Sequence, residues 1–112
     1  MTDELRQRIY DAISACQAIL SFTEHVSLDA YIGDLLLRSA VERQFEILGE
    51  ALNRADALDS GIVSQVPDLP RIVGMRNRII HGYDSVDDEI IWDAIRNYVP
   101  KLQEDLMTLS SR

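Results

Sequence analysis

The chain has 112 residues, among them one cysteine, three prolines, five glycines and only 6% aromatic side chains. Cys16 has no second cysteine to pair with, so an internal disulfide is excluded. Two histidines without a cysteine cluster make no zinc constellation, so no metal site and no cofactor are expected. No apolar run approaches the roughly 20 residues that span a bilayer. The chain opens on Thr2-Asp3-Glu4, without the basic start of a signal region. The expectation is a cytoplasmic protein in reducing surroundings that makes no membrane contact. Positive charge is scarce as well: eleven Lys plus Arg stand against nineteen Asp plus Glu, a formal charge of −8 at pH 7. That balance repels polyanions and excludes a general nucleic-acid coat protein, so any RNA contact must be local. A second core has no room at this length, and residues 1–112 are expected to form one domain.

What is present in quantity is helical periodicity. Leu5, Ile9, Ala12, Ile13, Cys16, Ile19 and Leu20 step by three and four, with Thr2 as N-cap and Asp3 and Glu4 in the first turn. From Leu28 to about Leu58 a second stripe runs through Leu37, Val41, Phe45, Leu48, Leu52 and Ala55, with Leu36, Ala40, Ile47 and Ala51 beside it. One small bundle does not easily cover so wide an apolar face, which predicts a dimer. Asp59-Ser60-Gly61 ends that helix. Pro67-Asp68-Leu69-Pro70 turns into a third, which runs to about His81 with Gly82 placed to stop it. Ser85-Val86-Asp87-Asp88 resembles a capping box ahead of Ile91, Ile95, Tyr98, Leu102, Leu106 and Leu109, a stripe that Pro100 kinks or divides. No run alternates as a strand would. The predicted class is all-α, an antiparallel bundle of four to five helices.

Residues 69–83 hold Arg71, Arg76, Arg78 and His81 and contain no acid, whereas the rest of the chain sets eight basic against nineteen acidic residues. A cationic site of this kind on an acidic body binds a phosphate while limiting non-specific RNA contact. On a helix, Asn77, His81, Gly74, Arg78 and Arg71 share one arc, and Met75, Ile79, Ile72, Ile80 and Val73 share the other. Arg76 falls within the apolar arc and so needs a carboxylate, a phosphate or a wet cleft. Arg76 and His81 lie about 140° apart on an ideal helix. Either the backbone unwinds near Gly82 to bring them together, or two copies contribute side chains to one cleft.

Arg76-x-x-x-x-His81-x-Tyr83, late in a small acidic helical chain, resembles the Arg-x-x-x-x-His-x-Tyr signature of the HepT toxins within the HEPN superfamily. Gly49-Glu50-Ala51, Met75-Arg76-Asn77, Ile91-Trp92-Asp93-Ala94-Ile95 and Val99-Pro100 extend the resemblance over residues 5–107. It implies a dimeric HEPN-like helical domain that is a metal-independent endoribonuclease, the toxin of a toxin–antitoxin pair, with its site between two protomers. It also implies a minimal nucleotidyltransferase antitoxin, MntA-like, that silences the nuclease by transferring AMP to Tyr83.

The residues themselves are compatible with that chemistry. Metal-free RNA cleavage needs a base for the 2′-hydroxyl, an acid for the leaving 5′-oxygen and a cation for the phosphorane charge. An imidazole, with an ordinary pKa of about 6.5, serves either proton role, and a guanidinium offers a permanent fork for phosphate oxygens. His81 and Arg76 are therefore the catalytic candidates; Asn77 and Arg78, on the arc of His81, are the candidates for orienting its imidazole and, with Arg71, for holding substrate. Each has a plainer alternative. His81 caps helix carbonyls, Arg76 pairs with Glu46 or Glu50, Tyr83 packs its ring, and Arg71 and Arg78 are solvated charges. Cys16 is read as an inert core residue, His25 as solvent-exposed, and Trp92 and Tyr98 as core or interface anchors. The second functional reading is a non-catalytic helical adaptor that binds substrate for a nucleotidyltransferase partner.

Overall fold

Thr2 starts the first helix as its sequence position suggests: its side chain accepts from the Leu5 N–H at 3.1 Å, and Asp3 and Glu4 follow in the first turn. A computed structural model describes residues 1–82 and 86–112, and these form seven helices and no strand. Helix α1 spans Asp3–Phe22 and buries Leu5, Ile9, Ala12, Cys16 and Ile19. It ends where the Thr23 hydroxyl turns back to donate to the Ile19 carbonyl at 2.8 Å.

The long second stripe is two helices. α2 (Leu28–Ile32) stops at Gly33, and α3 (Leu35–Leu58) starts anew because the Asp34 carboxylate accepts from the Leu37 N–H at 3.1 Å. The break leaves Leu36 81% exposed in the first turn of α3, outside the stripe it was expected to join. Below that turn, Val41, Phe45, Leu48, Leu52 and Ala55 are buried. A helix of this length rises about 36 Å at about 1.5 Å per residue and accounts for most of the 42 Å long axis of the molecule.

A short helix α4 (Ile62–Gln65), unexpected from the sequence, buries Ile62 beneath the turn that follows α3. α5 (Leu69–His81) begins after Asp68 with Pro70 in its first turn, where the missing N–H is harmless. Pro100 divides the last stripe rather than kinking it, giving α6 (Asp88–Asn97) and α7 (Val99–Ser110). Asp87 caps α6 by accepting from the Glu89 and Ile90 N–H groups at 2.9 and 3.3 Å. The cap is thus Asp87, with Asp88 in the first turn, rather than Ser85, where the expected box would begin; Ser85 itself lies outside the described residues.

α3 is the centre of the bundle. It packs against α1 on one side and α5 on another, and α7 covers α1 and α6. Full burial of Ile9, Phe45, Leu48, Leu52, Ile72, Leu102 and Leu106 joins these helices in one core, each side chain contributing about 1.5–3 kcal/mol. Arg96 ties α6 to the α1–α2 connection: its Nη2 donates to the Thr23 and Val26 carbonyls at 3.1 and 2.7 Å while the guanidinium lies 4.3 Å over the Trp92 ring. Trp92 in turn meets Tyr31 with ring centroids 5.3 Å apart, the anchor role expected of it. Among the described residues no helix is long and apolar enough to cross a membrane.

Candidate active site

α5 divides its side chains much as its periodicity predicts. Ile72, Met75 and Ile79 face the core, and Arg71, Asn77, Arg78 and His81 are exposed, but Ile80 is also 38% exposed. Arg76 stands between the two groups. Its side chain is 23% exposed and lies across Gly49 of α3. A β-carbon at Gly49 would sit 2.3 Å from the Arg76 Cβ and 2.8 Å from its Cγ, so the bare backbone of α3 is the seat of the arginine stem.

From that seat the guanidinium is held at two corners. Nη2 lies 2.7 Å from Glu50 Oε2, and Nη1 donates to Asn77 Oδ1 at 3.0 Å. The Nε–H is buried and has no partner among the described residues. Of the two carboxylates that sequence offered as partners, Glu50 is the one that pairs. Its other oxygen accepts from Arg54 Nε at 2.7 Å. That Arg54 hydrogen bond, helped by the charge of Arg76, holds the Glu50 carboxyl below the usual carboxylate range despite a smaller opposing effect of burial. An ion pair this open to solvent is worth about 0–1 kcal/mol, so its main effect is to orient the guanidinium rather than to stabilise the fold.

Arg76 lines a groove of about 460 Å³ between α1, α3 and α5, together with Arg8, Tyr10, Arg43, Glu46 and Ile80. Arg8 and Arg43 arrive already paired, with Asp11 at 3.4 Å and Glu46 at 3.1 Å. The Arg8 Nε, like that of Arg76, is buried without a partner among the described residues. Tyr10 at the rim is 65% exposed.

Arg71 and Arg78 belong to the opposite side of α5. The Arg71 guanidinium lies 4.2 Å over the ring of Tyr98, and a hollow of about 300 Å³ against α6 is shared by Arg71, Gly74, Arg78 and Tyr98. A second hollow, of about 390 Å³, extends from Arg78 towards Val86 and Ile90. The basic cluster of the sequence is thus two groups in space, with Asn77 bonded to Arg76 and Arg78 facing α6.

His81 closes α5 and is exposed. The last turn is completed by the Gly82 N–H, which donates to the Arg78 carbonyl at 2.8 Å, and among the described residues nothing is hydrogen-bonded to the imidazole. α5 remains helical through His81. The two candidate catalytic side chains therefore leave it about 140° apart, and no unwinding before His81 brings them together. Tyr83 lies outside the described residues. Among the described residues no group of three His, Cys, Asp or Glu side chains is arranged to hold a metal ion. Cys16 is buried, and burial pushes its thiol up to about 12, consistent with an inert core residue.

Sequence reasoning missed Gly49 as a seat, Arg54 as a neighbour, and Arg8 and Arg43 as groove residues. A signal existed for the first. Glycine inside a helix costs about 1 kcal/mol relative to alanine, so one in the middle of a long helix marks a place where something approaches closely.

The model of the family described as ribonuclease HepT-like matches residues 12–109. Among the curated relatives, "Putative RNase MJ1380" of Methanocaldococcus jannaschii is 27% identical over 105 residues, 92% of this chain and 94% of that protein. "Putative RNase MJ0127" of the same organism is 30% identical over 99 residues, 87% of this chain and 79% of its own. "Probable ribonuclease HepT" of Thermococcus cleftensis is 27% identical over 95 residues, covering 83% and 84% of the two chains. No solved structure gives a significant match. With a family model spanning most of its length and relatives aligned nearly end to end, the chain belongs to the ribonuclease HepT-like family.

Proposed function

We propose that this chain, as a single domain over residues 1–112, is a metal-independent endoribonuclease that acts as the toxin of a toxin–antitoxin pair in the cytoplasm. Arg76 and His81 carry the reaction from a cleft between two copies. The observation that carries this reading is that one helix holds both an oriented guanidinium, seated on Gly49 at the edge of a groove, and, on a different face at its end, an exposed imidazole. Family membership supports RNA as the substrate. The exposed Tyr10 and Ile80 beside Arg76 support a second copy as the neighbour.

In this mechanism the His81 imidazole of one copy takes the proton of a 2′-hydroxyl, and the freed oxygen attacks the adjacent phosphorus. Arg76 donates to the non-bridging oxygens as charge builds on the phosphorane. The imidazolium of the other copy protonates the departing 5′-oxygen. One P–O bond forms and one breaks, leaving a 2′,3′-cyclic phosphate and a 5′-hydroxyl. Asn77 steadies Arg76, while Arg78 and Arg71 hold flanking phosphates on the α6 side. Silencing comes from an MntA-like nucleotidyltransferase antitoxin. It transfers AMP from ATP to the Tyr83 hydroxyl, releasing pyrophosphate and placing a bulky anion two residues from His81.

The test is incubation of the purified chain with cellular RNA in EDTA. Cleavage that disappears in His81→Ala supports the reading, and cleavage unchanged by that substitution overturns it. The ion pair between Arg76 and Glu50 favours a second reading, a non-catalytic adaptor that binds the nucleotidyltransferase. That reading requires stable association with the partner, no cleavage, and no growth arrest when the chain is expressed alone.

A further inference from the structure

Arg76 is oriented by contacts that also threaten its usefulness. A guanidinium neutralised by a carboxylate is a poor ligand for phosphate, and Glu50 lies 2.7 Å from it. The same carboxylate, however, gives its second oxygen to Arg54, also at 2.7 Å. One negative charge is thus shared between two guanidinium groups, and the cluster keeps a net positive charge of one beside the groove that Arg76 lines. Arg54 is well exposed and Arg76 is not, so the partner nearer solvent offsets Glu50 while the recessed one is held in place. A guanidinium has five N–H donors. Among the described residues Glu50 and Asn77 engage one each, leaving donors that include the buried Nε–H.

We infer that Glu50 is a positioning residue for Arg76 and that Arg54 is its charge compensator: the carboxylate aims the guanidinium at the scissile phosphate, and Arg54 keeps that aim from costing the site its positive charge. The inference rests on the ribonuclease reading above and adds two residues to it. Gly49 supplies the other half of the fixation, because the stem of Arg76 occupies the space where a side chain at that position would be. The roles separate cleanly. Loss of the Glu50 carboxylate frees the guanidinium to swing, which damages the step in which phosphorane charge develops. Loss of Arg54 leaves Arg76 in place but electrically silenced, which damages attraction of the substrate.

The experiment combines steady-state cleavage of a fluorescent single-stranded RNA with nitrogen-15 NMR of the Arg76 guanidinium in the free protein. Glu50→Ala is expected to lower kcat by about 10–100-fold, the scale of a misplaced transition-state group, with KM little changed and the melting temperature retained. Glu50→Gln, which keeps an acceptor oxygen, is expected to recover most of that loss. Arg54→Ala, at an exposed position, is expected to raise KM several-fold with kcat preserved. In the NMR spectrum the Arg76 Nη resonances are expected to be separate in the wild-type chain and merged by free rotation in Glu50→Ala. Full activity in Glu50→Ala, or an Arg76 guanidinium that already rotates freely in the wild-type chain, overturns the inference. An unchanged KM in Arg54→Ala overturns its charge-compensating part. A wild-type chain that cleaves no RNA while Arg76 is immobilised by Glu50 overturns the ribonuclease reading and leaves the positioning contact standing.

Discussion

The Cβ of Arg76 lies 2.3 Å from the point that a β-carbon on Gly49 would occupy. Real Cβ atoms do not approach so closely, and the obstacle is the root of the arginine rather than its flexible tip. Helices α3 and α5 therefore meet at a spacing that only glycine at position 49 permits. Gly49→Ala gains helix propensity worth about 1 kcal/mol but must separate the helices or displace Arg76, a strain of about 1–3 kcal/mol. The expected outcome is a melting temperature unchanged or a few degrees lower, together with a loss of RNA cleavage out of proportion to it. A variant that melts higher and cleaves normally would show that α5 approaches α3 less closely than the geometry implies.

Acid titration should reveal two carboxylates acting in opposite directions. Burial, reinforced by Asp88 and Glu46 and opposed by Arg38, raises the pKa of Glu42, whereas the Arg54 hydrogen bond and the charge of Arg76 lower that of Glu50. A raised carboxylate destabilises the fold while ionised, so stability is gained as pH falls from neutrality through its folded pKa towards the ordinary value of about 4.3. A lowered carboxylate contributes stability above that ordinary value and loses it as pH falls further, through its own folded pKa. The melting temperature is expected to rise on mild acidification and to fall in stronger acid. Glu42→Gln should melt higher than the wild-type chain at pH 7 and lack the rise; equal melting at pH 7 would show that Glu42 ionises freely in the fold.

Much of the bundle was legible because its signals are local. Thr2 sits one residue before α1 and caps it with its own side chain, and the acidic stretch ahead of the last stripe does start a helix, although Asp87 rather than Ser85 is its cap. Pro100 divides the last stripe because proline cannot supply an interior N–H. The break between α2 and α3 was also written, as Gly33-Asp34, but apolar periodicity continued across it and hid the cap. The candidate site was legible only in part. Helical phase placed Arg76 apart from Arg71 and Arg78, yet no spacing rule reports that Gly49 on another helix is the seat of Arg76. Nor does any report that Glu50 rather than Glu46 turns towards it, because both contacts depend on how α3 and α5 cross.

Arg96 is an exposed residue with a structural role that its charge does not announce. Its Nη2 donates to two carbonyls more than 60 positions away while its guanidinium stacks on Trp92. Hydrogen bonds from charged donors contribute about 1.5–3 kcal/mol when shielded, less at an open site such as this. Arg96→Ala is expected to destabilise by about 1–2 kcal/mol in urea unfolding, and Arg96→Lys, which lacks the planar fork, should recover only part of it. RNA cleavage by the folded fraction should be unaffected, since the contact lies away from Arg76. An unchanged unfolding midpoint in Arg96→Ala would remove the residue from the account of the fold.

Two copies are required by the mechanism because α5 stays helical through His81 and points Arg76 and His81 in different directions. That requirement has a quantitative signature. When His81→Ala chains are co-refolded with wild-type chains in increasing proportion, a cleft that needs an imidazole from each copy is intact only where two wild-type chains meet. Cleavage should then fall as the square of the wild-type fraction. If each chain completed its own site, cleavage would fall in direct proportion to that fraction. Light scattering on the same samples fixes the assembly in which the result is read. A linear decline would exclude the second imidazole as the acid, leaving the proton for the 5′-oxygen to come from water or from the copy that binds the phosphate.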